Sequence, residues 1–211
     1  MATQPHTFIH PAQVSRPGGF LGQRFYANAA GRLKDPILSE EFIRRHERKD
    51  HFEWFWSGEQ LGKWFDASAY TALITQDTAL LARIDELLER LAKTQEEDGA
   101  VSITLRRNRV PARGMELYEY YYILHGLLVL HDLLGSEKAL EIALKLGEYI
   151  IKTWGTEPGQ FPLAGRFPGN GHGGGEGTLI LEPIVLLGMQ SGQARFIEWG
   201  ERTMRKWDDW L

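Results

Sequence analysis

From residue 60 onward the hydrophobic and polar positions of this chain fall at helical spacing, in segments that come in pairs. The first pair spans residues 60–74 and 77–95. Trp64, Ala67, Ser68, Thr71 and Ala72 give its leading helix small and aromatic faces. The following helix sets Leu80, Leu81, Ile84, Leu87, Leu88 and Leu91 opposite Arg83, Glu86, Glu89 and Arg90, with Asp77 as N-cap and Gly99 past its end. The second pair joins residues 116–134, apolar or aromatic nearly all round, to an amphipathic segment at 137–154 carrying Ala139, Ile142, Ala143, Leu146, Tyr149 and Ile150. Residues 178–189 and 193–210 repeat the plan. The turn residues Asp77, Ser136 and Gln193 lie 59 and 57 positions apart. A helix that is apolar all round must be buried, and an amphipathic one covers it. Inner–outer pairs in series predict an all-α fold, an (α/α) toroid of helical hairpins. Closed toroids of this kind commonly have six or seven pairs, so three pairs read as about half of an (α/α)6 barrel, a single and incomplete domain over residues 36–211.

Residues 1–35 contain Pro11, Pro17, Gly18, Gly19, Gly22 and Gly31, which break any periodicity. This stretch is expected to be irregular and packed on the barrel through Phe8, Phe20, Phe25 and Tyr26. A short helix is expected over residues 39–48, capped by Ser39, with the charge run at 44–50 as a solvated face.

Long loops at 52–59, 99–113 and 155–177 all precede inner helices. They therefore open at one end of the assembly, where function is expected. The first carries Trp54 and Trp56 with Ser57 and Glu59. This is either a sugar platform with hydrogen-bonding groups beside it or an aromatic plug with Ser57 as N-cap. At the second, Arg113, Glu116, Tyr118 and Tyr120 can present a carboxylate and phenols to a cavity, although a first-turn Glu is also favoured by the helix dipole alone. His125, deeper in that helix, is either a core histidine or a site residue. The third loop ends in a glycine-dense run at 171–177 holding His172 and Glu176, and Glu182 follows near the start of an apolar helix, where it caps the helix or faces a cavity. Glycosidic hydrolysis uses two carboxylates about 5–10 Å apart. Glu182, Glu116 and Glu59 are the catalytic candidates. Trp54, Trp56, Ser57, Arg113, Tyr118, Tyr120, His125, His172 and Glu176 are the candidate substrate contacts. His172 and Glu176 lack a second histidine at helix spacing, so no metal site is assigned, and no Gly-Lys-Ser/Thr follows the glycines, so they are not a phosphate loop.

A net charge of −4 argues against nucleic acid or an anionic membrane as the main partner. The chain has no cysteine, which removes disulfides, thiolate zinc sites and a Cys nucleophile from these residues. Residues 1–6 lack the features of a signal peptide and no apolar run reaches the ~18 residues of a membrane span, so a cytoplasmic protein is expected.

Three stretches carry a resemblance. Residues 62–70 (Gly-Lys-Trp-Phe-Asp-Ala-Ser-Ala-Tyr), 83–87 and 95–99, then Glu116-Leu117-Tyr118 with His125-Gly126, then Leu181-Glu182-Pro183-Ile184-Val185-Leu186-Leu187, resemble in order glycoside hydrolase family 127, the β-L-arabinofuranosidase-like enzymes with an (α/α)6 barrel. The resemblance covers roughly residues 18–207. It implies sugar contacts from residues 57–59, from Glu116–Tyr118 and His125, and from the His172 loop. It also implies that the family's Cys nucleophile, its zinc held by Cys and Glu, and its acid/base Glu belong to a later part of the barrel; zinc would need ligands from there. The resulting expectation is a glycoside hydrolase-type module that acts on or binds a furanoside or plant oligosaccharide. One alternative is a non-catalytic carbohydrate-binding or scaffold protein. Another is a sugar epimerase or unsaturated-uronide hydrolase, which Arg113 and Arg166 keep open. A half-barrel leaves apolar edges, so either a homodimer completing the toroid or a missing C-terminal half is expected.

Overall fold

The computed structural model describes residues 10–14, 16–50, 57–111, 116–163 and 176–206. Through them run α1 (Gly19–Ala30), α2 (Pro36–Arg48), α3 (Glu59–Thr75), α4 (Thr78–Thr94), α5 (Glu116–Leu134), α6 (Glu137–Thr153), α7 (Leu181–Ser191) and α8 (Ala194–Arg205). Among the described residues the only extended pairings are the isolated bridges Asp50–Thr104 and Trp154–Phe161. The fold is all-α. None of the described helices is long and apolar enough to cross a membrane.

The expected hairpins are α3–α4, α5–α6 and α7–α8. Side-chain caps set the first two turns: Asp77 accepts the Ala79 and Leu80 N–H groups at 3.1 Å each, and the Ser136 hydroxyl accepts the Ala139 N–H at 3.3 Å. Central to the assembly is α5, which packs on α3 along one side and on α7 along the other. From outside, α4, α6 and α8 cover their hairpin partners. Leu61, Phe65, Leu117, Ile123, Leu127, Leu146, Ile184 and Phe196 have no exposed surface and form one continuous core.

The seam between α3 and α5 is a backbone contact. A Cβ on Gly62 would lie 2.0 Å from the Tyr122 carbonyl oxygen, and one on Gly126 would lie 2.6 Å from the Gly62 carbonyl oxygen. Only glycine permits this approach. It brings Lys63 and Asp66 of α3 beside Tyr122 and His125 of α5.

Four expectations change. Residues 1–35 are not irregular throughout, because Gly19–Ala30 is a helix of 12 residues that buries only Gly22 and Ala29. Gly18 and Gly19 sit at its entrance, Gly22 on its buried face and Gly31 at its exit. The second helix starts at Pro36, not Ser39. Asp35 caps it by accepting the Ile37 N–H at 2.9 Å, and proline suits the first helical position because it has no N–H to satisfy. Ser39 is instead buried, and its hydroxyl accepts Arg83 Nε at 3.1 Å. The charge run at 44–50 is not wholly solvated: His46 is fully buried, and Lys49 donates to the Thr94 carbonyl at 2.9 Å and to Glu96 at 2.7 Å. Finally, the third inner helix begins at Leu181, after a 3-10 turn at Glu176–Ile180. That start leaves Pro183 in the first turn, where its missing N–H costs no hydrogen bond.

Candidate functional site

Positions 59, 63, 66 and 70 of α3 recur at helical spacing, as do 118, 121, 122, 125 and 132 of α5, so each set forms one stripe. Apart from Glu59, which is 7 % exposed, these residues are half-buried or exposed, while the residues around them on both helices are mostly core. Glu182 extends the surface onto α7.

Near the helix starts, Glu59 Oε1 accepts Lys63 Nζ at 2.5 Å and Gln60 Nε2 at 3.0 Å. The Lys63 ammonium also sits 4.1 Å from the centroid of the Tyr122 ring, on its electron-rich face. Tyr118 and Tyr122 stack edge to face at 5.2 Å with their hydroxyls 3.4 Å apart. Burial, the hydrogen bond with Tyr122 and the charge of Glu59 hold the Tyr118 phenol well above the usual tyrosine range.

Next to Tyr122 on α5, the Tyr121 hydroxyl donates to Glu182 Oε2 at 3.0 Å, linking α5 to the first turn of α7. Burial and that bond push the Tyr121 phenol up to about 12. Its ring lies 4.7 Å from Tyr122, edge to face, and 6.0 Å from His125. Across the glycine seam, burial raises the Asp66 carboxyl above the ordinary aspartate range, and the charge of His125 opposes that shift. Tyr70 is 43 % exposed; partial burial and the charges of Asp66 and Asp132 raise its pKa. Tyr118, Tyr122, Tyr121 and His125 thus form a ring ladder on α5, with Glu59 and Asp66 on one side and Glu182 on the other. Ring faces bordered by hydrogen-bond acceptors match the alternating apolar faces and hydroxyl edges of a sugar.

Two other carboxylates of α5 are turned to a different task. Glu116 Oε1 accepts the Val110 N–H at 2.8 Å. Glu119 Oε1 accepts the Ile103 N–H at 2.8 Å, and its Oε2 accepts the Ser102 hydroxyl at 3.0 Å. Ser102 Oγ in turn accepts the Thr104 N–H at 3.1 Å. Burial pushes Glu119 up to about 8 and pushes the adjacent His46, whose Nδ1 is 3.9 Å from Glu119 Oε1, down to about 3. A Cβ on Gly58 would reach 2.5 Å from the Glu119 carboxyl. These contacts fasten the loop after α4, the last turns of α2 and the entry to α3.

The candidates from sequence therefore separate. Glu182 is exposed on the ladder, and Tyr118 and His125 belong to it. Glu59 stands at its mouth, already bonded to Lys63, with Ser57 half-buried just before α3. Glu116 is 9 % exposed and holds the loop. Tyr120 has no exposed surface; it packs edge-on against Tyr149 at 5.9 Å and Trp154 at 6.1 Å, inside the core rather than on the stripe. Glu176 opens the 3-10 turn before α7. Trp54, Trp56, Arg113, Arg166 and His172 lie outside the described residues. Lys63, Asp66, Tyr70, Tyr121 and Tyr122 were not among the sequence candidates. Their signal was available, since Lys63, Asp66 and Tyr70 are polar positions three and four apart in a helix otherwise read as small and apolar.

The zinc that the resemblance implies is expected to take its ligands from a later part of the barrel. The chain has no cysteine, and among the described residues no three His, Asp or Glu side chains converge as metal ligands. Two clefts on other faces are lined differently. One, of about 520 Å³, lies between α6 and the loops, and its charges are partly matched, with Arg106 3.3 Å from Asp98. The other, of about 270 Å³ and largely apolar, lies between α2 and α4.

Comparison with known proteins agrees with this architecture. A curated non-reducing end β-L-arabinofuranosidase of Bifidobacterium longum is 24% identical over 116 residues, covering 50% of this chain and 18% of the relative. A solved GH127 β-arabinofuranosidase superposes with a TM-score of 0.69 at 18% identity, over 94% of this chain and 33% of its own. A GH127 β-L-arabinofuranosidase from Geobacillus stearothermophilus T6 gives 0.62 at 20% identity, over 86% and 29%. At those identities the superpositions establish the fold, part of an (α/α) barrel, and the chain spans about a third of each solved relative. The family model for the β-L-arabinofuranosidase GH127 catalytic domain matches residues 21–205, and the chain belongs to that family.

Proposed function

We propose that this chain is a sugar-binding module of a glycoside hydrolase, and that the ladder of α5 with its flanking carboxylates receives a furanoside of the arabinofuranoside type or a related plant oligosaccharide. The observation that carries the reading is the Tyr121–Glu182 bond beside Tyr122 and His125, an aromatic and acceptor surface drawn from adjacent inner helices. Tyrosine faces would hold the ring, while Asp66 and the second oxygen of Glu182 would accept its hydroxyls. Among the three catalytic candidates, Glu182 is the one both exposed and on this surface. Glu59 is committed to Lys63, and Glu116 is committed to the loop. With no cysteine in the chain, a cysteine nucleophile of the kind used by the resembled family would come from outside these residues. The reading is therefore binding by this chain and hydrolysis only together with further residues. It is tested by calorimetric titration of the purified chain with an arabinofuranosyl oligosaccharide, with Glu182→Gln as control. Saturable binding weakened by that change supports the reading, and absence of binding overturns it.

The uronide alternative is less favoured, because the described stripe presents carboxylates and a lysine already neutralised, with no arginine. We also propose self-association. Beyond the polar ladder the same face continues through Val129 and Leu186 to Met189, which is 66 % exposed, and a second copy of the chain would cover this edge. Light scattering that returns twice the chain mass supports this; a well-behaved monomer contradicts it.

A further inference from the structure

Donors and acceptors are unevenly divided along the ladder. Glu182 is a carboxylate and accepts, and it already takes the Tyr121 hydroxyl hydrogen at 3.0 Å. The Tyr118 and Tyr122 hydroxyls face each other at 3.4 Å. A sugar offers two kinds of oxygen. Its hydroxyls donate and accept, whereas its ring and glycosidic oxygens carry no hydrogen and only accept. Carboxylates can read the first kind; the second kind needs a donor.

Lys63 has the capacity to be that donor. An ammonium has three hydrogens, and one is directed to Glu59 Oε1, 2.5 Å away. Its charge rests 4.1 Å from the Tyr122 centroid, while 40 % of the side chain stays exposed. Glu59 is by contrast largely buried, and the same oxygen also accepts Gln60 Nε2 at 3.0 Å. A free lysine samples many rotamers. Here a buried carboxylate one turn earlier on α3 and a ring face on α5 fix its head before any ligand arrives, which lowers the entropy lost on binding. The Glu59 charge offsets that of the ammonium, so the group suits a neutral oxygen rather than an anion. Tyr121 packs against Tyr122 at 4.7 Å, so Lys63 from α3 and Glu182 from α7 bracket the two rings.

We infer that Lys63 is the specificity-determining donor of the ladder, giving an N–H to an acceptor-only oxygen of the bound sugar, with Glu59 as its positioning residue. A donor at one end of the rings and an acceptor at the other fix which way round the sugar lies. This inference rests on the ladder being the sugar surface.

The test is calorimetric titration of the full 211-residue chain with an arabinofuranosyl disaccharide and two analogues, one with CH2 in place of the ring oxygen and one with sulfur in place of the glycosidic oxygen. One analogue is expected to bind about tenfold more weakly than the parent sugar, and which one it is identifies the oxygen that Lys63 reads. In Lys63→Met, checked for an unchanged circular dichroism spectrum, the three ligands should bind within about twofold of each other; Lys63→Leu serves as a second variant lacking the ammonium. Lys63→Arg, which keeps charge and N–H groups, should restore the discrimination, and Glu59→Gln should reduce it to about threefold. A purely structural role for Lys63 would lower all three affinities together and leave their ratios unchanged. If the unaltered chain binds both analogues as tightly as the disaccharide, or Lys63→Met keeps the discrimination, the inference is overturned while the sugar surface stands. Full discrimination in Glu59→Gln overturns the positioning role. If none of the three ligands binds, the sugar surface and the inference are both overturned.

Discussion

Helix α5 has two kinds of carboxyl environment around it, and they differ in what has been done with their hydrogen bonds. Glu116 and Glu119 face the loop after α4, and three of their oxygens accept a backbone N–H or a hydroxyl. Asp66 and Glu182, on the helices to either side of α5, border the tyrosine ladder, and among the described residues one hydrogen bond, from Tyr121, reaches them. Buried acceptors that are satisfied stabilise a fold, whereas acceptors left open at a surface are available to a ligand. A carboxylate near the start of an inner helix is thus no sign of catalysis in itself. The group that supplies its donors decides which task it has.

Removing the loop-facing group should cost the most. Glu119→Ala leaves the Ile103 N–H and the Ser102 hydroxyl unpaired inside the core, and is expected to lower unfolding free energy by roughly 3 kcal/mol. Asp66→Asn should stay within about 0.5 kcal/mol of the parent. Urea denaturation of the two variants measures the contrast, and equal losses would erase it.

The pH dependence sharpens the same point. Glu119 has its folded pKa raised to about 8 from 4.5, so its contribution is fully present below pH 4.5 and is lost as pH rises towards 8. His46 has its folded pKa lowered to about 3 from 6.5, so its contribution is present above pH 6.5 and is lost as pH falls. The two slopes oppose each other between pH 4.5 and 6.5, and Glu119 acts alone from 6.5 to 8. Over that upper interval the parent should lose stability at up to about 1.4 kcal/mol per pH unit, the limit for one proton, and Glu119→Gln should flatten the profile. Thermal melts across the interval decide it.

Ligand affinity should respond to the other carboxylates. Glu182→Gln is expected to weaken arabinofuranosyl oligosaccharide binding about tenfold, while Glu116→Gln, whose side-chain oxygen still accepts the Val110 N–H, leaves it within about twofold. Tyr121→Phe, which removes only the hydroxyl that orients Glu182, should cost about threefold. A larger effect from Glu116 than from Glu182 would invert the comparison.

Much of the fold was legible because it follows from local rules. Asp77 caps the helix expected of it, Ser136 lies in its expected turn, and the outer helices α4 and α6 have the amphipathic pattern of their sequences. Helix α1 was hidden by its glycines, and Ser39 looked like a cap because Asp35-Pro36, the stronger start signal, lay just upstream. The site was only half legible. Glu182, Tyr118 and His125 stood out as polar residues in apolar company. Asp66 and Tyr121 did not, because their pairing depends on how closely α3 approaches α5, and that is set by Gly62 meeting Gly126 across some 60 residues of chain. No window of sequence contains that contact. The task of Glu119 was hidden in the same way, since its donors come from a loop 16 and 17 residues earlier.

Hydroxyl-radical footprinting of the tyrosines with and without an arabinofuranosyl oligosaccharide tests the central claim most directly. If the inner-helix ladder is the sugar surface, Tyr70, Tyr121 and Tyr122 become protected on binding while Tyr26 and Tyr149 keep their reactivity. Protection centred on Tyr149, at the outer cleft, with the ladder unchanged, would contradict the account.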